Sequence, residues 1–123
     1  MNILVVDDSR LMRSCIKSNV SGLINHCTYI EAENGEEAFK LVQTHKVDFV
    51  FLDWEMPKVT GMDFLKAVRK IDRFRYLPII MVTSDDHKEH IVEAVKEGVT
   101  DYILKPINNH GFREKMLKHF YHE

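Results

Sequence analysis

An apolar run, Phe49 to Leu52, carries an aspartate, Asp53, at its tip and then breaks at Trp54-Glu55-Met56-Pro57, with Gly61 close behind. The pattern recurs along the chain. Ile3 to Val6 runs into Asp7 and Asp8, Ile79 to Val82 into Thr83 and Ser84, and Tyr102 to Leu104 into Lys105 and Pro106. If these runs are strands of one sheet, three carboxylates, a hydroxyl and an ammonium group converge on one edge. Clustered carboxylates repel one another, and a hard divalent cation relieves the repulsion; oxygen ligands with several waters suit Mg²⁺. A carboxylate held beside such a cation can attack phosphorus and form an acyl phosphate. A hydroxyl and a lysine can then stabilise the phosphoryl oxygens. Singly, each residue has a plainer role: Asp7 and Asp8 as a helix N-terminal cap, Thr83 as a structural hydroxyl, Lys105 as a solvated charge. The combination is what points to chemistry.

The elements that must position these groups are legible in the periodicity. Strands are expected at Asn2–Asp7, Thr28–Ala32, Phe49–Asp53, Ile79–Thr83 and Tyr102–Leu104. Several are continuously apolar, as in strands buried on both faces of a parallel sheet. Between them lie helical spacings: Met12, Cys15, Ile16 and Val20; Ala38, Leu41 and Val42, led by Asn34 as N-cap with Glu37 three residues on; Met62, Leu65, Val68 and Ile71, with Phe64. Ile91, Val92 and Val95 follow, ended by Gly98, and then Phe112, Met116, Leu117 and Phe120. The order is (βα) five times, an α/β fold with a doubly wound parallel sheet and helices on both faces. Ligand sites in such sheets lie beyond the carboxyl ends of the strands, at the switch in strand order.

Bulk properties narrow the classes. At 123 residues, one domain spanning 1–123 with a real core is expected. Seventeen basic against 19 acidic side chains leave a net charge of −2, too balanced for a general affinity for nucleic acid or an anionic membrane. The first apolar run is too short for a signal peptide, and no segment approaches a membrane span of about 20 apolar residues. Cys15 and Cys27 form neither a metal-type pair nor a disulfide framework, so reduced, mostly buried thiols in a cytoplasmic protein are expected. None of the 7 histidines joins the acidic cluster. His87 and His90, three apart on an expected helix, could share a metal, but solvated side chains are the ordinary state. The stretch Asp86 to His90 reads as a solvated face and the KHFYHE ending as a frayed helix end.

With VVDDS at 5–9, LDWEMPKVTG at 52–61, MVTS at 81–84 and YILKP at 102–106, the chain resembles the receiver domain of two-component response regulators. Among these it resembles the single-domain chemotaxis regulators of the CheY type, over essentially its whole length. The resemblance implies a flavodoxin-like sheet in the order 2-1-3-4-5, with no output domain. It implies Asp53 as phosphoacceptor, and Mg²⁺ (or Mn²⁺ in its place) bound by Asp8, by Asp7 directly or through water, by Asp53 and by the backbone carbonyl of Glu55. Thr83 would bond the phosphoryl group, Lys105 would pair with Asp53 or its phosphate, and Tyr102 would be a switch aromatic coupled to Thr83. The Lys105–Pro106 bond is often cis in this family. Trp54 would cover the side of the site. The expected partners are a histidine kinase of the CheA-like kind, a flagellar motor switch or other protein that reads the face of the fourth helix, fifth strand and fifth helix, and an auxiliary phosphatase. Such a protein catalyses only its own phosphorylation and dephosphorylation.

Three positions depart from the pattern. Glu55 stands where chemotaxis members often carry Asn, Ser84 where Ala is frequent, and Asp85 adds a further acid two residues after Thr83. Glu55 could touch the metal or its waters, or pair with Lys58; with Asp85 it is expected to tune the lifetime of the phosphoryl group, and Ser84 to alter access. Other readings remain. A phosphorelay intermediate would pass the group on to a histidine phosphotransfer protein. An aspartyl-phosphate hydrolase of the haloacid dehalogenase kind would carry Asp at position 55 and more chain for a cap. A flavodoxin-type flavin protein would not place the acidic DDSR loop where a flavin phosphate must sit.

Overall fold

The computed structural model describes residues 1–56, 59–107 and 109–120. Five parallel strands, β1 (Asn2–Val6), β2 (Thr28–Ala32), β3 (Phe49–Leu52), β4 (Ile79–Thr83) and β5 (Asp101–Leu104), form one sheet in the order 2-1-3-4-5. Helices α1 (Arg10–Ser21), α2 (Gly35–Thr44), α3 (Gly61–Arg69), α4 (Lys88–Lys96) and α5 (Asn109–Phe120) alternate with them. The α/β, doubly wound architecture expected from the sequence is the one observed.

Strand side chains alternate between two cores, because successive residues of a strand point to opposite faces. Leu4, Val6, Val50, Leu52, Ile79 and Met81 pack on the face covered by α2 and α3, against Val42, Phe64, Leu65 and Val68. Ile3, Val5, Phe49, Phe51, Ile80 and Val82 pack on the other, against Ile16 and Val20 of α1 and Phe112 and Met116 of α5. Both faces being covered is why these strands read as unbroken apolar runs.

Caps fix where the helices begin. Asn34 Oδ1 accepts the backbone N–H of Glu37 at 2.8 Å, as expected, while the Glu37 carboxylate takes the N–H of Glu33 rather than that of Asn34. The start of α3 carries a full capping box that the sequence reading missed, Thr60 with Asp63. Gly98 sits just past α4 at φ +94°, where a residue with a Cβ is disfavoured.

Several boundaries and faces differ from expectation. β1 and β3 stop one residue before their aspartates, although Asp7 N–H still reaches Ala32 O (3.1 Å) and Asp53 N–H still reaches Val6 O (3.0 Å). Ile71 falls beyond α3, and β5 starts at Asp101 rather than Tyr102. Cys15 and Cys27 are half-buried, not buried. On α4, whose apolar spacing was read from Ile91, Val92 and Val95, Ala94 is buried, and Val92 and Val95 are 51% and 61% exposed.

Candidate functional site

The switch in strand order lies at β1, which pairs with β2 on one side and β3 on the other. Asp7 leaves β1 and Asp53 leaves β3 at adjacent register positions, Val6 opposite Leu52. Asp8 follows on the loop into α1. Thr83 closes β4, and Lys105 N–H donates to Thr83 O (2.8 Å), which holds the end of β5 beside it. The Lys105–Pro106 bond is cis. Gly61 N–H donates to Trp54 O at 3.0 Å, and a Cβ at Gly61 would lie 2.1 Å from Asp53 O. Only glycine lets the start of α3 close so tightly on the strand end that presents Asp53.

The side chains expected to converge do so. Carboxylate oxygens of Asp7, Asp8 and Asp53 lie within 4.8 Å of one another. Asp7 and Asp53 are buried and Asp8 is exposed, so the cluster opens to solvent on one side. Lys105 Nζ lies 2.9 Å from Asp7 Oδ2 and 3.6 Å from Asp53 Oδ2. Its closer partner is thus Asp7, whose other oxygen accepts the backbone N–H of Ser9 (2.9 Å). Thr83 is fully buried, and its Oγ1 accepts the N–H of Asp85 at 3.3 Å. Burial pushes the Asp53 carboxyl from its ordinary 3.8 up to about 6; the Lys105 charge works against this, Asp7 adds to it, and the Thr83 hydroxyl and the Glu55 backbone amide oppose it. One ammonium among three carboxylates leaves the site electron-rich. Its donors are all oxygens, with no imidazole or thiolate, and this set fits a hard cation such as Mg²⁺.

Around this centre the expected neighbours sort differently. Glu55 and Ser84 are exposed at the rim. The pairing of Glu55 with Lys58, and the loop at Pro57, lie outside the described residues. Trp54 is half-buried against the core and stacks on His90, with ring centroids 5.0 Å apart at 14°. The Asp85 carboxylate faces His87 and His90 instead of the carboxylate cluster. Tyr102 is half-buried; its hydroxyl donates to Asp85 O at 2.6 Å. Burial first, then the charges of Asp85 and Asp53, push the Tyr102 hydroxyl up to about 12, so it remains a proton donor at neutral pH.

Sequence reasoning missed three supporting arrangements. Arg13 is buried, donating to Asp7 O (2.7 Å) and to Glu31 Oε1 (2.8 Å), and so fixes the backbone that bears Asp7. The available signal was an arginine on the apolar stripe of α1, in step with Ile16 and Val20. His90 and His87 were expected to be solvated, and His87, the residue before α4, largely is; yet both rings turn to Asp85. His119 was assigned to a fraying end, but it pairs with Asp101 at 2.8 Å beside Lys115 (2.9 Å), packed between α5 and β5. His122 lies outside the described residues.

Residues 3–117 match the response regulator receiver domain family, so the chain is a receiver domain of two-component signalling. Several of its relatives are chemotaxis proteins. It is 38% identical over 120 residues to the chemotaxis protein CheY of Pseudomonas aeruginosa, covering 98% of this chain and 96% of that one. It is 41% identical over 117 residues to chemotaxis protein CheY1 of Helicobacter pylori, covering 94% of each. The fold superimposes on chemotaxis protein CheY4 of Vibrio cholerae with a TM-score of 0.84 at 28% identity, over 95% of this chain and 96% of that one. The chain is a single receiver unit of the CheY-like kind.

Proposed function

We propose that the protein is a phosphorylation-dependent switch of the chemotaxis type, in which Asp53 accepts a phosphoryl group from a phosphohistidine of a CheA-like histidine kinase. The observation that carries this reading is the juxtaposition of Asp53, Asp7 and Asp8 with Lys105 at the ends of adjacent strands. An Asp53 oxygen attacks phosphorus; the P–N bond to the donor imidazole breaks and an aspartyl phosphate forms. Burial keeps water from competing for the Asp53 carboxylate. Lys105, already between Asp7 and Asp53, meets the incoming phosphoryl oxygens, and the Thr83 hydroxyl turns to them from the other side. Asp8, Asp53, the Glu55 carbonyl and Asp7 would hold Mg²⁺, which would neutralise charge on the transferring oxygens. Both Asp7 oxygens already accept hydrogen bonds, from the Ser9 N–H and from Lys105 Nζ, which hold the carboxylate in place at the cluster.

The new group adds charge and acceptor oxygens. Drawing Thr83 toward it breaks the Thr83–Asp85 contact, and the loop carrying Asp85 O, to which Tyr102 is bonded, moves with it. Tyr102 then repacks, and the exposed face of Val92, Val95 and Leu104 changes shape for a motor-switch or other protein partner. Glu55 and Ser84 line the approach to Asp53 and set how fast water or an auxiliary phosphatase removes the group; Asp85 acts through the loop that it anchors. The protein works in the cytoplasm, spans no membrane, binds no nucleic acid directly and turns over no external substrate; among the described residues no helix is long and apolar enough to cross a membrane.

The test is phosphotransfer from an autophosphorylated histidine kinase in Mg²⁺. Wild type takes one labelled group and Asp53→Asn takes none; equal labelling of both removes Asp53 from the role. A histidine phosphotransfer protein added afterwards separates a terminal switch, which keeps its label, from a relay intermediate, which passes it on.

A further inference from the structure

Asp85, His87 and His90 stand outside the phosphoryl chemistry, on the loop from β4 into α4. The Asp85 carboxylate is 2% exposed, and a buried carboxylate needs partners. Among the described residues it pairs with neither lysine nor arginine. Oδ1 accepts the His87 backbone N–H at 3.0 Å and meets His87 Nδ1 at 2.9 Å; Oδ2 meets His90 Nδ1. Two imidazole nitrogens and a carboxylate oxygen lie within 4.8 Å of one another. Around a tetrahedral Zn²⁺ with bonds of about 2.0–2.1 Å, ligand atoms stand roughly 3.3 Å apart. The 2.9 Å between Asp85 Oδ1 and His87 Nδ1 needs to open by only a few tenths of an ångström to admit the ion, while the His90 ring, now in tight contact with Oδ2, must draw back further.

The surroundings hold these ligands in place. The Asp85 N–H donates to Thr83 Oγ1 (3.3 Å) and the Asp85 carbonyl accepts the Tyr102 hydroxyl (2.6 Å). The His90 ring lies flat on Trp54. The His87 side chain is 65% exposed, which leaves a fourth position open to water, the arrangement of three protein ligands plus solvent. Imidazole nitrogens select ions of the Zn²⁺ class over Mg²⁺, whereas the all-oxygen cluster of Asp7, Asp8 and Asp53 does the reverse.

We propose that Asp85, His87 and His90 form a second cation site, for a transition metal of the Zn²⁺ class, that ties the start of α4 to the end of β4. Binding takes over the Nδ1 positions that now meet the carboxylate, so the ion competes with those hydrogen bonds. Because the Tyr102 hydroxyl is bonded to the Asp85 carbonyl, a bound ion stiffens the loop on which that tyrosine rests. The site uses no residue that receives the phosphoryl group, so it stands or falls separately from the chemistry of Asp53.

The test is calorimetric titration with Zn²⁺ in excess Mg²⁺, repeated with Co²⁺ to read the visible bands of tetrahedral coordination and the quenching of Trp54. Wild type and Asp53→Asn bind one equivalent. Binding weakens by about tenfold or more in His87→Ala and in His90→Gln, while both variants keep the far-ultraviolet circular dichroism of wild type and still accept phosphoryl groups. Unchanged affinity in the two histidine variants, no binding by wild type, or binding abolished by Asp53→Asn would each overturn the proposal, the last by placing the ion in the acidic cluster.

Discussion

Asp53 carries a conflict that its sequence neighbours only hint at: it must be ionised to attack, yet it is buried beside Asp7. In the metal-free protein the folded state holds its proton up to about pH 6, whereas the unfolded chain ionises near 3.8. Stability relative to an uncharged residue is therefore lost as pH rises across that window and stays flat above it. Asp53→Asn is expected to raise the stability of metal-free protein by about 2–3 kcal/mol at neutral pH, with the difference vanishing near pH 4; urea midpoints across the pH range check this. Arg13→Ala should act oppositely. It leaves the Asp7 carbonyl without its donor in a buried place, and a loss of about 2–3 kcal/mol is expected, read from the same urea curves. The five strand-end residues were legible because each closes an apolar run. Arg13 and the Asp85 cluster were not, because which side chain turns toward which depends on how α1 and the β4–α4 loop lie over the sheet.

At the scale of elements, strands and helices follow from their periods, and the misses have physical causes. The sequence reading marked Ile91, Val92 and Val95 as the apolar spacing of α4, but Ala94 is the residue buried while Val92 and Val95 look out. Hydrophobic spacing marks an apolar face without saying what covers it. The closeness of α3 to the β3 end was likewise invisible except as Gly61. Gly61→Ala is expected to cost about 2–3 kcal/mol through overpacking and to slow phosphoryl acceptance, since the Cβ can be accommodated only by moving the Asp53 backbone. Denaturation and labelling rates measured on one preparation test both effects.

For the whole molecule, chirality does most of the specification. Right-handed crossovers and a five-fold βα order leave few sheet topologies; the resemblance to receiver domains supplied the order 2-1-3-4-5 among them, and the place of the site followed from the rule that ligands sit beyond the carboxyl ends of the strands. The exposed face of Val92, Val95 and Leu104 is where the proposed partner is read. Val95→Lys should leave stability within about 0.5 kcal/mol and phosphoryl acceptance unchanged, while weakening binding of phosphorylated protein to a cognate motor-switch partner by about tenfold; a pull-down titration resolves the two effects.

The most direct measurement is Trp54 fluorescence during titration with Mg²⁺ and then with beryllofluoride or acetyl phosphate. Trp54 follows Asp53 in the chain and is half-buried beside it. A change on adding Mg²⁺, then a second change absent from Asp53→Asn, is the expected result. No response to the phosphoryl donor, or the same response in Asp53→Asn, would contradict acceptance at Asp53 and leave a receiver fold that signals by other means.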